Sequence, residues 1–225
     1  MDTVRINAMN ELSRVYWQNS TYDSAMFYAS QSITLCKTML QSSPAGNPKT
    51  KNLRNSILNK EARALQNVGY TYGNQGKYKE ALAEFHEAAE LKKETGDQKG
   101  LASLLNNIGL VNQLRGNYPE ALKSHFASLK IKQDLHDSAG IAVSYSNIGI
   151  IYGEMEDYKD ALPNFSAAKK IFEKTGDREG VAETLEDIAN IHILQGDSVS
   201  ALNELQNALK IFQDLDNQQN IGRVY

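Results

Sequence analysis

Apolar residues follow a helical spacing along most of the chain. Leu65, Val68 and Tyr72 lie three or four residues apart, and Gly76 follows them. After this glycine, a second apolar run has the same spacing: Tyr78, Ala81, Leu82, Phe85 and Ala88. Residues at this spacing share one face of an α-helix, and a glycine between two such runs marks a turn. The segment therefore predicts two amphipathic helices joined as a hairpin.

The hairpin pattern recurs with a period of forty residues. Asn67-Val68-Gly69 returns as Asn107-Ile108-Gly109 and Asn147-Ile148-Gly149, and in changed form as Asp187-Ile188-Ala189. The same period aligns the turn residues Gly76, Gly116, Glu156 and Gly196, and the alanines Ala81, Ala121, Ala161 and Ala201. A fixed period of this length is typical of stacked helical repeats. We therefore predict an all-α chain with four tandem repeats over residues 56–221.

Weaker copies are found at both ends of the chain. In the first copy the offset is fifty-six, and the matching residues are Leu12, Tyr16, Ser20, Tyr22 and Ala25. The extra residues are assigned to a Pro/Ser/Gly loop at 41–48 and to an extension of the next helix through Leu53 and Ile57. Residues 1–55 are thus a degenerate hairpin plus loop, and 222–225 the start of a further, truncated repeat. We expect the chain to be an excerpt of a longer protein.

Two local features predict how the helices end and pack. Each second helix is followed by a polar turn: Thr95-Gly96-Asp97, His136-Asp137, Thr175-Gly176-Asp177 and Asp216-Asn217. Glycine suits the left-handed end of a helix, and aspartate after it suits the N-cap of the next. Small residues such as Gly69 and Ala81 are expected to let the two helix backbones of a hairpin approach closely.

These repeated columns resemble the tetratricopeptide repeat consensus, with forty residues per repeat instead of the usual thirty-four or so. The resemblance implies a right-handed superhelical solenoid of antiparallel helix hairpins, about five of them plus the start of a further helix. It also implies a function in binding other proteins. The phrase Asp23-Ser24-Ala25-Met26-Phe27-Tyr28-Ala29, followed by the repeat array, is similar to the N-terminal sensor regions of bacterial histidine kinases and nucleotidyl cyclases.

The resemblance also implies where a partner binds. In this family the first helix of each repeat lines a concave groove, and Asn67, Asn107 and Asn147 match a position that bonds bound peptide. Helical spacing adds neighbours on the same face. The expected groove residues are Arg63, Gln66, Asn67, Tyr70, Asn106, Asn107, Leu110, Ser146, Asn147, Ile150, Glu183, Glu186, Asp187 and Asn190. The alternative is that the asparagines bond the backbone of a neighbouring repeat and stabilise the stack.

The composition of this groove predicts its ligand. It is rich in amides, apolar in the middle and acidic toward Glu183 and Asp187. We expect an extended or helical peptide with apolar side chains and positive charge toward the acidic end. Apart from Arg63, the basic residues that select a free carboxylate in the family's chaperone-type clamps are missing, which argues against a C-terminal carboxylate as ligand.

Charge and composition narrow the class of partner. Lys and Arg number 24 against 27 Asp and Glu, a formal net charge of −3, so no broad basic field favours nucleic acid or an anionic membrane. No run approaches the ~20 apolar residues of a membrane span, and the first residues lack the apolar segment of a signal peptide. We expect protein or peptide partners and no direct membrane contact. The compartment and a homodimer are left open.

The sequence holds no recognisable catalytic or metal-binding pattern. His86, His125, His136 and His192 are scattered, and His125 falls in the column of Phe85 and Phe165, which indicates a core residue. We expect no catalytic residue, metal or cofactor in this chain. The predicted function is an interaction module, as the sensory or regulatory region of a larger bacterial signalling protein. The alternatives are a free-standing cytosolic adaptor, or a repeat-built regulator of a response regulator.

Overall fold

A computed structural model describes residues 2–42, 48–215, 220 and 222. Ten α-helices follow one another within these residues, and they confirm the all-α prediction. Their bounds are α1 (Asp2–Gln18), α2 (Tyr22–Gln41), α3 (Pro48–Asn74), α4 (Tyr78–Thr95), α5 (Gln98–Leu114), α6 (Tyr118–Asp134), α7 (Ser138–Glu154), α8 (Tyr158–Thr175), α9 (Arg178–Leu194) and α10 (Ser198–Asp214). The odd-numbered helices are the first helices of the predicted hairpins.

The chain divides into two compact units, Met1–Asn117 and Tyr118–Tyr225. In the first unit, each helix from α1 to α5 packs against the next, and α1 also packs against α3. In the second unit, each helix from α6 to α10 packs against the next, and α7 also touches α9. First helices thus lie beside one another within each unit, which is what brings the predicted groove residues of neighbouring repeats together. The predicted division at 55, 56–221 and 222–225 stays a prediction.

The turn after each first helix contains one residue in the left-handed conformation. Gly76, Gly116 and Gly196 have φ angles of 73°, 70° and 78°. Ser20 and Glu156, which occupy the same column in the other two repeats, have φ angles of 57° and 60°. Glycine adopts this conformation without the side-chain clash that other residues meet. The backbone geometry of the repeat is therefore kept even where glycine is replaced.

The predicted aspartate caps are confirmed. The Oδ1 atoms of Asp97, Asp137 and Asp177 each accept a hydrogen bond from the backbone N–H three residues later, at 2.9, 3.0 and 3.0 Å. The residue before each cap is left-handed, including His136 at φ 55°. The Asp216-Asn217 turn, the middle of the 41–48 loop, and residues 223–225 of the further repeat lie outside the described residues.

The long helix α3 confirms the predicted extension of the second hairpin. It begins at Pro48 and runs for 27 residues. Its added part is anchored by Ile57, which is fully buried in a cluster with Ile6 of α1 and Cys36 of α2. Burial also raises the pKa of the Cys36 thiol to about 12. The extension thus joins the degenerate first hairpin to the regular repeats through a shared core.

Glycine within the hairpin makes room for an aromatic ring of the second helix. A Cβ atom placed on Gly69 would lie 2.5 Å from Cε1 of Phe85. One placed on Gly149 would lie 2.8 Å from Cε1 of Phe165. At both positions the atoms nearest the added Cβ belong to the phenylalanine ring of the second helix, so this ring fills the space beside the glycine.

His125 is a core residue, as its column predicted. Its side chain is fully buried, and neither ring nitrogen has a hydrogen-bond partner among the described residues. Burial, assisted by the positive charge of Lys132, lowers the pKa of His125 from 6.5 to about 4. The imidazole is therefore neutral at physiological pH, and it takes the space that Phe85 and Phe165 fill in their repeats.

Candidate functional site

The predicted groove residues of the first unit lie on one side of α3 and α5. Arg63 and Leu110 are exposed, and Gln66, Tyr70 and Asn106 are half-buried. We call these five residues the first-helix face of unit one. They combine a charged end, an aromatic hydroxyl, amides and an apolar side chain, which is a surface suited to a peptide rather than to a small, fully enclosed ligand.

Asn67 connects two first helices instead of facing solvent. Its side chain is 4% exposed, and its Nδ2 donates to the backbone carbonyl of Asn10 on α1 at 2.8 Å. Asn10 is itself buried, where its Nδ2 donates to the carbonyl of Lys60 at 2.9 Å and its Oδ1 accepts from Ser32 at 2.6 Å. This geometry is that of the stacking alternative. Sequence reasoning missed Asn10, because the weak first copy places Glu11 in the column of Asn67.

Asn107 connects α5 to α3 through Tyr70. Its side chain is 8% exposed, and its Nδ2 donates to Oη of Tyr70 at 2.9 Å. Gln66 donates to the same oxygen at 3.1 Å. The ring of Tyr70 stacks on Trp17, with centroids 4.7 Å apart, and meets Phe85 edge-on at 5.4 Å. Tyr70 is therefore held by residues of three first helices and one second helix.

Trp17 is a further residue that the groove prediction missed. It lies at the end of α1, and no aromatic residue stands at the matching position of the later repeats. Its Nε1 atom is buried and has no hydrogen-bond acceptor among the described residues. Because the single tryptophan does not recur with the repeat period, the sequence pattern did not mark it as a contact between repeats.

A small charge cluster borders the first-helix face of unit one. The Arg63 guanidinium pairs with Glu11, and Arg14 donates to the other Glu11 oxygen at 2.9 Å. The hydrogen bond from Arg14, with the positive charges of Arg63 and Arg14, lowers the pKa of Glu11 against an opposing effect of burial. Two guanidinium groups thus share one carboxylate, and Arg63 already has an anionic partner.

The predicted groove residues of the second unit lie on α7 and α9. On α7, Val143 is 44% exposed; on the same helix Ser146, Asn147 and Ile150 are half-buried. On α9, Glu183 and Asn190 are exposed and Asp187 is half-buried. We call these seven residues the first-helix face of unit two. Glu186 was predicted with them but is 6% exposed, because it lies about 100° around the helix from Asp187.

The exposed face of helix α9 is acidic in its first half and uncharged in its second half. Glu179 and Glu183 occupy its first half, while Asn190 and Leu194 occupy its second half. Leu194 is 60% exposed, and it was absent from the predicted groove although Leu114 stands in the same column. A segment lying along α9 would therefore meet negative charge first and an apolar side chain about three to four turns later.

The second unit also has an open cleft of about 570 Å³ formed by α8, α9 and α10. Val181, Leu185 and Ile211 contribute its apolar lining, and the ion pair between Arg178 and Asp214, 2.7 Å apart, lies on its border. Nothing in the repeat columns predicted this cleft. It is wide and shallow compared with the enclosed pockets that hold small molecules.

Neither a metal site nor a membrane-spanning helix is found within the described residues. No cluster of three or more His, Cys, Asp or Glu side chains is arranged to bind a metal ion within them. In the same part of the chain, none of the helices combines the length and the hydropathy that crossing a bilayer would need.

Comparison with known families decides which kind of repeat this is. The model of the tetratricopeptide repeat matches residues 60–134 and 140–214, which together make up more than half of the chain. The chain belongs to the tetratricopeptide repeat family. Comparison with curated proteins gave no match. Members of this family serve as protein interaction modules, so that a protein or peptide partner is implied for this tetratricopeptide chain.

Solved structures share the fold of this tetratricopeptide chain at low sequence identity. The repeats of a putative kinesin light chain from Podosopora anserina are 15% identical, with a TM-score of 0.72, covering 97% of this chain and 99% of that one. A signal transduction ATPase with a tetratricopeptide repeat sensor from Pyrococcus horikoshii is 14% identical, with a TM-score of 0.78, covering 96% and 31%. A Rap protein complexed with competence and sporulation factor is 14% identical, with a TM-score of 0.68, covering 100% and 62%. At these identities the likeness concerns the fold alone.

Proposed function

We propose that each unit of this tetratricopeptide chain binds a peptide segment of another protein on its own first-helix face. The observation that carries the proposal is an exposed apolar side chain beside amides on each face. Leu110 is 38% exposed next to Asn106, and Val143 is 44% exposed one turn from Asn147. Apolar contacts supply affinity, and amides can bond a peptide backbone as donor and acceptor.

The first-helix face of unit two favours a partner with positive charge. Glu183 is exposed and Asp187 half-buried, and both lie on the first-helix face of unit two. Exposed charge pairs contribute about 0.2–1 kcal/mol each, so two of them change affinity by a modest factor. Their larger effect is on the direction of the bound peptide and on its rate of association. We therefore place the basic end of the peptide at Glu183.

We further propose that the chain is a sensory or regulatory region within a bacterial signalling protein. The phrase at 23–29 supports this, as do two neighbours: one is an ATPase whose repeats are described as a sensor, and one is a Rap protein in complex with competence and sporulation factor. The coding sequence beyond Tyr225 tests the proposal. An output domain there supports it, whereas a stop codon favours the free-standing adaptor or the response-regulator type.

Peptide selection tests the binding function. The full chain is immobilised, a library of random twelve-residue peptides is displayed against it, and the affinity of recovered peptides is measured by fluorescence anisotropy. We expect peptides with apolar and basic residues. Glu183→Gln should weaken basic peptides about two- to fivefold, in line with one exposed charge pair, and added salt should have the same effect.

Matched controls separate the first-helix faces from the rest of the surface. Glu173→Gln removes an equally exposed charge from α8, a second helix of the same unit, and should leave affinity unchanged. Val143→Ala should weaken binding, whereas Phe126→Ala, which truncates a residue 43% exposed on α6, should not. Recovery of no binding peptide, or loss of binding only with the control variants, would overturn the proposal.

A further inference from the structure

The hydroxyl of Tyr70 occupies an unusual hydrogen-bonding position. It is half-buried on α3 and receives two N–H donors, one from Asn107 at 2.9 Å and one from Gln66 at 3.1 Å. A phenol oxygen has one hydrogen to donate and at most two positions at which to accept. Both accepting positions of Tyr70 are therefore used inside the protein, and its hydrogen is the group left for an external partner.

From this arrangement we infer that Tyr70 is a specificity-determining residue that donates a hydrogen bond to a neutral carbonyl oxygen of the bound peptide. The inference deepens the proposed function and rests on it. At this point of the first-helix face of unit one, the protein binds a hydrogen-bond acceptor of the peptide and disfavours a hydrogen-bond donor.

The ring of Tyr70 is fixed before a partner arrives. One face stacks on Trp17, with planes 26° apart, and the ring meets Phe85 edge-on at an interplanar angle of 74°. Because Phe85 is 1% exposed and packs over Gly69, the aromatic group has little freedom to turn. A donor held in place loses less entropy on binding than a mobile one.

The groups around the hydroxyl explain why a donor would be rejected. Asn107 and Gln66 present N–H groups to the Tyr70 oxygen, and the neighbouring Trp17 carries a further N–H. A peptide N–H or ammonium placed against the Tyr70 oxygen would find both of its accepting positions already used, and an unpaired polar group out of water costs about 1–3 kcal/mol. The cost of leaving a donor unpaired discriminates between ligands more strongly than one additional favourable contact does.

The neighbouring charges favour a neutral carbonyl over a carboxylate. The nearest guanidinium on the same helix face is Arg63, two turns before Tyr70, and it is already paired with Glu11. A carboxylate at Tyr70 would lose hydration without gaining an unpaired cation. A carbonyl loses far less hydration, and one well-placed O–H donor satisfies it.

The test uses the full chain and the tightest selected peptide whose binding Leu110→Ala weakens, so that the peptide is one bound on the first-helix face of unit one. Tyr70→Phe removes the donor and keeps the ring, and we expect affinity to fall about two- to twelvefold, the range that a net hydrogen bond gives. Asn107→Asp replaces an amide with a group that only accepts, so that it captures the Tyr70 hydrogen. We expect a loss like that of Tyr70→Phe, and no further loss when the two changes are combined.

Two further variants keep the test interpretable. Ser103→Asp adds the same charge at an exposed position one turn before Asn107 on α5, so its effect measures charge alone and is expected to be smaller. Gln66→Glu captures the hydroxyl from α3 and replaces Asn107→Asp if that variant does not fold, which circular dichroism reveals. An acidic side chain at position 66 or 107 should reproduce the loss of affinity seen in Tyr70→Phe only if it bonds to the Tyr70 hydroxyl.

A scan of the peptide identifies the carbonyl. Replacing each backbone amide in turn with an ester weakens one carbonyl as an acceptor, and replacing Asn or Gln side chains with Ala removes side-chain carbonyls. We expect one such change to weaken binding to the unaltered chain but not to Tyr70→Phe. This would place either a backbone or a side-chain carbonyl at Tyr70.

The outcomes distinguish this inference from the proposed function. If Tyr70→Phe and every peptide change act independently while Leu110→Ala still weakens binding, peptide binding stands and the role of Tyr70 is overturned. Undiminished affinity in Asn107→Asp also overturns it, because the hydroxyl hydrogen would then already be bonded to Asn107. If no peptide binds at all, both proposals fall.

Discussion

Replacing Gly69 with alanine tests how the hairpin is packed. The added Cβ atom would lie 2.5, 2.7 and 2.9 Å from three ring carbons of Phe85. Gly73, one turn later on the same helix, has no atom within 4 Å of a Cβ at its position. The two substitutions therefore add the same methyl group to α3, one against a buried ring and one into open space.

Opposite effects on stability follow from this difference. Alanine in place of glycine stabilises a helix interior by about 1 kcal/mol. Gly73 is the next-to-last residue of α3, so Gly73→Ala should be stabilised by less than this. Overpacking a core costs about 1–3 kcal/mol, and Phe85, at 1% exposure, has little room to move. With the cost at the upper end of that range, Gly69→Ala should lose about 1–2 kcal/mol net. The free energies of unfolding of the two variants should thus differ by about 1–3 kcal/mol.

Trp17 provides the assay, since it is the only tryptophan of the chain and lies in the first unit. Urea unfolding followed by its fluorescence should give a lower midpoint for Gly69→Ala and a higher one for Gly73→Ala. Phe85→Leu, which removes the clashing ring edge, should cost less in the Gly69→Ala background than alone. Equal midpoints for the two alanine variants would refute the packing argument.

Three further predictions concern single residues. The pKa of His125 is about 4 in the folded chain and 6.5 ordinarily, so between these pH values the unfolded chain binds a proton that the folded chain does not. The free energy of unfolding should therefore fall by about 3 kcal/mol from pH 6.5 to 4. In urea titrations at different pH, His125→Phe should abolish this part of the pH dependence of stability. Equal slopes would contradict it. Asn67→Ala removes the hydrogen bond to the backbone carbonyl of Asn10 and should cost about 0.5–1.5 kcal/mol, whereas an unchanged melting temperature would exclude a stacking role. Glu156→Gly relieves a left-handed glutamate and should raise the melting temperature, by about 1 kcal/mol of stability; a lower melting temperature would show that the side chain matters more than the backbone.

Periodicity made the helices and their turns predictable. A repeat needs the same backbone at the same place, so the columns containing Ser20, Glu156 and His136 revealed left-handed turns even without glycine. The aspartate caps followed from local chemistry in the same way. These features depend on neighbours within a few residues, and the sequence displays such neighbours directly.

Contacts between repeats were harder to predict. Asn67 bonds to Asn10, fifty-seven residues away, across a segment whose length differs from the regular period. Trp17 stacks on Tyr70 although neither column marks the pair. We also predicted that Glu186 would lie on the accessible face of α9, but its position around the helix leaves its side chain buried. Side-chain pairing between helices depends on their exact register, which a pattern of apolar residues constrains only to within a face.

The position of bound peptide on the chain tests the central claim most directly. A photoreactive benzophenone residue is placed at Leu110 in one variant and at Phe27, an exposed residue of the second helix α2 in the same unit, in another. A selected peptide is then irradiated with each variant, and cross-linked product is measured by mass spectrometry. Peptide binding on the first-helix face predicts cross-linking from position 110 and little from position 27. Cross-linking from position 27 alone would contradict it.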